Sequence, residues 1–283
     1  MNWQVEVLQY LENIRTDFLT MIFTTITILA EKYFLILLLS ILYWCVDKIK
    51  SVRLSWFVLV NGNVTGIIKN SVAMPRPFEA GVVIPIRAET ATSYSFPSGH
   101  TGAATSFWGG SMVIFKSTPV IILGIIMILL TGFSRLYLGV HWPVDVLGAL
   151  LFGVISIYLA DVTLGEKAVM SRWHVIGASL FVCLIMLLPV DGDLYKMAAA
   201  LWGLTLGIYV EQNFIHFEVK QKTKIQILKL IIGITGMLIF YIGCKKLFPD
   251  DKIFHMLRYS LVLFWISAGA PYLFKKLLPT KPV

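Results

Sequence analysis

The sequence predicts an all-α fold, a polytopic bundle of membrane-spanning helices, and three observations carry that expectation. Hydrophobic residues make up 57% of the 283-residue chain and charged residues only 14%, with a mean hydropathy of +0.79. A water-soluble chain of this length needs many more charges to cover its surface. The apolar residues are gathered into runs of helical length separated by short polar links, as in a chain that crosses a bilayer repeatedly. The basic residues give a net charge of +8 but are dispersed among the apolar runs. They read as orientation signals and as contacts to anionic lipid or anionic substrate, so no nucleic-acid partner is expected.

Taken in order, residues 2–15 read as an amphipathic helix lying at the interface, with Trp3 as its anchor. No basic n-region precedes it, so a cleavable signal peptide is not expected. Apolar segments follow at residues 17–30, 33–46 and 54–72, and a Pro-containing polar loop occupies 74–96. Further apolar segments fall at 99–115, 119–138, 142–160, 173–189, 197–210, 225–244 and 254–274. That gives about ten candidate spans, several short for a hydrocarbon core of roughly 30 Å, so one or two could be re-entrant. Cys45, Cys183 and Cys244 are isolated in or beside apolar runs and read as small buried hydrophobes, with neither metal spacing nor a disulfide framework.

Orientation follows from the cations of the short loops. With ten alternating spans, Lys48, Lys50, Arg53, Lys116, Lys167, Arg172, Lys220, Lys222, Lys224, Lys275, Lys276 and Lys281 all fall on one side. That side is expected to be cytoplasmic and to hold both termini, while Lys245, Lys246 and Lys252 run against the count. The opposite side carries the 74–96 loop, the start of the segment at Pro97 and the turn at 134–141.

Three polar clusters share that predicted depth: KNSVAMPRP from Lys69 to Pro77, PSGH from Pro97 to His100, and SRLYLGVHWPVD from Ser134 to Asp145. Charged residues at membrane depth are expensive and usually functional. Pro97 favours a first helical turn, and the amides of Ser98, Gly99 and His100 would then face an anion at the positive end of the helix. Arg76 and Arg135 can fork onto phosphate oxygens and Lys69 adds a point charge. His141 and Asp145 are four residues apart and can lie on one helix face. Asp145 can hold one imidazole nitrogen, leaving the other to attack, and His100 can protonate the departing alkoxide.

Each residue alone also has a plainer use. The arginines and Lys69 could be snorkelling cations, the serines caps, Asp145 a helix-start charge and His141 an interface histidine. Their coincidence on one side of the membrane argues for a site. His174, His216 and His255 have no such company. Arg87 and Glu89, in the loop bordering the entrance, are candidates for head-group contacts or simply solvated.

Lys69-x6-Arg76-Pro77, Pro97-Ser98-Gly99-His100 and Ser134-Arg135-x5-His141-x3-Asp145 resemble, complete and in order, the three signature motifs of the type 2 phosphatidic acid phosphatase (PAP2) superfamily. The resemblance implies a metal-independent lipid phosphate phosphatase without cofactor, built on a six-helix membrane core whose site faces the non-cytoplasmic side, here of the plasma membrane. It implies His141 as nucleophile forming a phosphohistidine and Asp145 as its orienter. His100 would be acid and then base, and Lys69, Arg76, Ser98, Gly99 and Arg135 would hold the phosphate. EKYFLILLLSILYWCVDK and SYSFPSGH are similar to the long-chain-base phosphate phosphatase branch.

The expected division is a catalytic core over residues 1–164 and a transmembrane extension over 165–283. The extension carries no catalytic motif and could shape a lipid access path, form a homodimer surface or bind something else. Polyprenyl pyrophosphate, phosphatidate, phosphatidylglycerophosphate and long-chain-base phosphates all fit as substrates. A lipid phosphotransferase using the same phosphohistidine and a lipid-phosphate transporter remain the rivals. Transport has no need of Asp145. Vanadate haloperoxidases share this type of pocket on soluble scaffolds that do not fit the composition.

Overall fold

A computed structural model describes residues 2–278, whose regular elements are helices, with no strand among them. Lys281, counted above among the cytoplasmic cations, lies outside the described residues. The chain packs as two units, one of Met1–Ile36 with Val60–Ala160 and one of Leu37–Leu59 with Asp161–Val283.

The first unit holds α1 (Asn2–Asn13), α2 (Asp17–Ile28), the start of α3 (Lys32–Cys45), and the second half of α4 (Lys48–Val72). After the 74–96 loop come α5 (Gly99–Ala104), a π-turn (Thr105–Gly109) and α6 (Gly110–Phe115), then α7 (Thr118–Tyr137) and α8 (Pro143–Leu164). Local chemistry sets several of these starts. The Thr16 hydroxyl accepts from Leu19 N to cap α2, and prolines at the first positions of α7 and α8 fill sites where no N–H is needed.

Two sequence expectations change here. Residues 17–30 and 33–46 are not two crossings. At about 18 Å and about 21 Å, α2 and α3 are each too short for a roughly 30 Å core, and together, bent by 50°, they make one broken span or a re-entrant loop. By length and apolar composition four helices can cross, or five with this pair counted as one.

The N-terminal helix packs against the 74–96 loop and the α7–α8 link, where the sequence count put it at the opposite end. Gln4 Oε1 accepts from Val144 N at 3.1 Å, and Glu12 Oε1 from Ile84 N at 2.8 Å. Arg15 donates to the carbonyls of Tyr137 (3.0 Å) and Ile84 (2.7 Å). Leu8 packs with Val83 and Trp142. The opposite face of α1 exposes Trp3 and Tyr10, as an interfacial helix should.

The second unit contains the end of α3, the start of α4, α9 (Arg172–Leu187), α10 (Gly192–Val210), α11 (Thr223–Leu247), α12 (Lys252–Phe264) and α13 (Ala270–Leu277). Residues 37–59 thus pack with the C-terminal helices, where a cut at 164 put them in the catalytic core. The reason is long-range. The Trp44 indole donates to the Ile266 carbonyl at 2.8 Å, the Tyr43 hydroxyl to that of Ser267 at 2.9 Å, and Lys48 pairs with the buried Glu211 at 2.7 Å. Lys252, which ran against the charge count, spends its ammonium on the carbonyls of Ile185, Met186 and Leu188 at the end of α9.

Candidate active site

The eight residues singled out from sequence all belong to the first unit, at the end where α1 and the 74–96 loop meet the α7–α8 link. Lys69, Arg76, Ser98, Arg135, His141 and Asp145 are each at most 3% exposed. The link is tight: Gly139 takes φ +72°, and a β-carbon there would meet Arg15 Nη2 at 2.7 Å. This turn brings His141 back over the start of α8.

His141 Nδ1 lies 3.1 Å from Asp145 Oδ2, and Arg76 Nη1 lies 3.3 Å from His141 Nε2. A guanidinium can only donate, so Nε2 accepts and carries a lone pair, while Nδ1 holds the hydrogen and donates it to the carboxylate. Asp145 Oδ2 also accepts from Trp142 N at 2.7 Å and from the Ser95 hydroxyl. The imidazole is thereby fixed in tautomer and direction. Burial pushes the His141 pKa well down, and Arg76, Lys69, Arg135 and His100 push it further the same way. It is neutral near pH 7.

The cations divide in a way that sequence did not foretell. Arg76 is occupied by the protein itself, donating to the carbonyls of Ser93 (2.7 Å), Val140 (2.8 Å) and Tyr94 (3.4 Å). Lys69 donates to the Tyr94 carbonyl. Both pin the loop against the site as well as supplying charge. Arg135 is different: Nη1 donates to Thr27 Oγ1 at 2.7 Å, and its buried Nε and Nη2 have no hydrogen-bond partner. One edge of the fork is anchored and the other is free for a bidentate acceptor.

Pro97 does not open the helix as expected; it follows a cis peptide and precedes Ser98, which is the N-cap of α5. Ser98 N donates to the Asp145 carbonyl at 3.0 Å and its hydroxyl accepts from Thr101, so its amide is already used. The first-turn amides left for an anion are those of Gly99 and His100. A β-carbon at Gly99 would meet nothing within 4 Å, and the buried His100 Nε2 has no partner.

Arg87 pairs with Glu31 at 2.8 Å and approaches Glu89 at 3.6 Å, which ties the loop to the α2–α3 bend. Sequence reasoning missed Ser95, Thr27 and Trp142. A serine two residues before Pro97 and a threonine in an apolar run carry no signal of their own until the fold brings their hydroxyls to Asp145 and Arg135. His174, His216 and His255 sit in the second unit, outside this cluster.

Comparison with known proteins places these residues in a family context. Residues 50–166 match the PAP2 superfamily, and residues 195–282 match the transmembrane extension of PAP2 superfamily phosphatases. The chain is 27% identical over 198 residues to a probable sphingosine-1-phosphate phosphatase of Dictyostelium discoideum, covering 64% of this chain and 48% of that protein. It is 40% identical over 89 residues to an undecaprenyl-diphosphatase of Bacillus subtilis, covering 30% of this chain and 42% of the relative. The chain thus spans about half the length, or less, of these curated relatives. Among solved structures, a transmembrane PAP2-type phosphatidylglycerolphosphate phosphatase from Bacillus subtilis aligns with a TM-score of 0.49 at 24% identity, over 57% of this chain and 84% of that one. With the motif-bearing segment and the C-terminal helices both matched, the chain carries a PAP2 superfamily domain and a PAP2 transmembrane extension.

Proposed function

We propose that this protein is a lipid phosphate phosphatase that hydrolyses a phosphomonoester or pyrophosphate of a membrane lipid through a phosphohistidine on His141. The observation that carries the proposal is the His141–Asp145 pair, whose Nε2 lone pair is turned toward Arg76 within the cationic cluster. Nε2 attacks phosphorus and the bond from phosphorus to the lipid oxygen breaks. His100 gives that oxygen its proton, and Arg135, Lys69, Arg76 and the amides of Gly99 and His100 hold the charge of the transferring group. His100, now neutral, takes a proton from water. The resulting hydroxide cleaves the phosphohistidine, releasing inorganic phosphate and restoring both histidines. Asp145 stabilises the cationic ring at each step.

The site opens to the non-cytoplasmic side, where the cation-poor loops lie. Candidate substrates are long-chain-base phosphates, phosphatidylglycerophosphate, phosphatidate and polyprenyl pyrophosphate. Support for a lipid substrate comes from the membrane-length helices and from the names of the relatives.

The test is phosphate release from a panel of these lipids in detergent with EDTA present, comparing the parent with His141→Ala. The expected result is EDTA-resistant release that disappears in the variant. Lipid binding without any release overturns hydrolysis in favour of transport. Loss of substrate without free phosphate points to transfer to another acceptor.

A further inference from the structure

Below the phosphate-binding end of the first unit, α4 carries a buried polar stripe that the mechanism leaves unused. Asn61, Thr65 and Lys69 are spaced four residues apart and so share one face of the helix. Asn61 is 2% exposed and Thr65 6%, yet neither Asn61 Oδ1 nor Thr65 Oγ1 has a hydrogen-bond partner. Other helical hydroxyls of this unit, those of Thr105, Ser111, Thr131 and Ser156, close onto the carbonyl four residues earlier. Thr65 does not use that exit. Buried polar atoms without partners at membrane depth are costly, which makes them candidates for ligand contacts.

Their position fixes what they can reach. A β-carbon on Gly102 would lie 2.9 Å from Asn61 Nδ2 and 3.5 Å from Thr65 Oγ1. Gly102 stands on the first turn of α5; its amide hydrogen bonds to the Ser98 carbonyl, and the residues just before Thr101, Gly99 and His100, offer the first-turn amides left for an anion. The two oxygens therefore sit about one helical turn below the phosphate cradle, with Thr65 about 6 Å along α4 from Lys69. Both can accept a hydrogen bond.

We propose that Asn61 and Thr65 form a head-group subsite that accepts hydrogen bonds from a hydroxyl or amine carried two or three bonds from the phosphoester. This rests on the phosphatase reading above and narrows its substrate class. Long-chain-base phosphates, 1-acylglycerol phosphates and phosphatidylglycerophosphate carry such a donor. Phosphatidate, whose glycerol hydroxyls are esterified, and polyprenyl phosphates do not.

The test compares kcat/KM for a 1-acylglycerol 3-phosphate and its 2-deoxy analogue, and for a long-chain-base phosphate and farnesyl phosphate. Each pair is measured in the parent, Asn61→Leu and Thr65→Val. The ratio within a pair is independent of how much variant folds. The parent should prefer the donor-bearing ester by about tenfold to a hundredfold, and each substitution should collapse that preference severalfold while leaving turnover of the donor-free ester near the parent's. A parental ratio near one, or a ratio that survives both substitutions, overturns the subsite and leaves a helix-packing role. Release from none of the esters by the parent is a different result: it overturns the phosphatase reading, and the subsite with it.

Discussion

Replacing Asp145 by Asn tests the base-and-orienter pair without altering its shape. The carboxylate is fully buried, and Oδ2 accepts from His141 Nδ1, Trp142 N and Ser95 Oγ while Oδ1 has no partner. The amide can keep all three bonds by placing its oxygen at the Oδ2 position. What it removes is the negative charge that faces the ring when Nε2 bonds to phosphorus and the imidazole becomes cationic. At the 3.1 Å separation of Nδ1 and Oδ2, the pair interaction is about 5 kcal/mol at an effective dielectric of roughly 20. Weakening one charge-assisted hydrogen bond to a neutral one sets a floor of about 2 kcal/mol. The expected loss in kcat is therefore roughly 30- to 5,000-fold. KM should change little, because Oδ2 is spent on His141, Trp142 and Ser95 and the amide keeps the shape of the carboxylate. Steady-state phosphate release in detergent, with a thermal melt to confirm folding, reads both constants. A folded Asp145→Asn protein with kcat within about threefold of the parent would refute the reasoning.

Other expectations follow from the same geometry. Arg135→Lys keeps the charge but loses the fork whose Nε and Nη2 are free, so KM should rise about tenfold or more, where an ordinary surface lysine swap would change nothing. The folded His141 pKa lies below its ordinary value of about 6.5, so the ring stays neutral as pH falls through that value and protonates only well below it. Accordingly the acid limb of kcat/KM, corrected for the second ionisation of the substrate, should lie well below pH 6.5; a limb at or above it contradicts the assignment. With the native cysteines replaced, Tyr10→Cys and Glu89→Cys should react with an impermeant maleimide from the same side of sealed vesicles. Labelling from opposite sides would mean that α1 does not dock on the loop.

Much of the site was legible because polar groups at membrane depth have few reasons to be there. His141 and Asp145 were readable as a pair from their spacing alone, and the structure places them 3.1 Å apart. The division of labour among the cations was not readable. Arg76 and Arg135 look alike in sequence, and only the fold shows that one is met by three carbonyls while the other has free donors.

Topology failed at one place for a local reason. The charged pair Glu31-Lys32 interrupts an apolar run and reads as a loop between two spans, whereas it marks a 50° bend between two helices each too short to cross alone. The side on which α1 lies is set by Gln4, Leu8 and Glu12 meeting residues more than sixty positions away, and no short window of sequence holds that information. The same holds for Trp44 and Tyr43, whose bonds to Ile266 and Ser267 draw residues 37–59 into the second unit.

The most direct test of the central claim is trapping of the phosphoenzyme. The protein is mixed with a lipid carrying labelled phosphate, quenched in alkali within milliseconds and digested for mass spectrometry. The account predicts an alkali-stable, acid-labile phosphoryl group on His141 that is absent from His141→Ala and accumulates in His100→Ala supplied with a lipid whose leaving group needs no protonation. Full phosphate release with no label on any histidine, or label on another side chain, would contradict it.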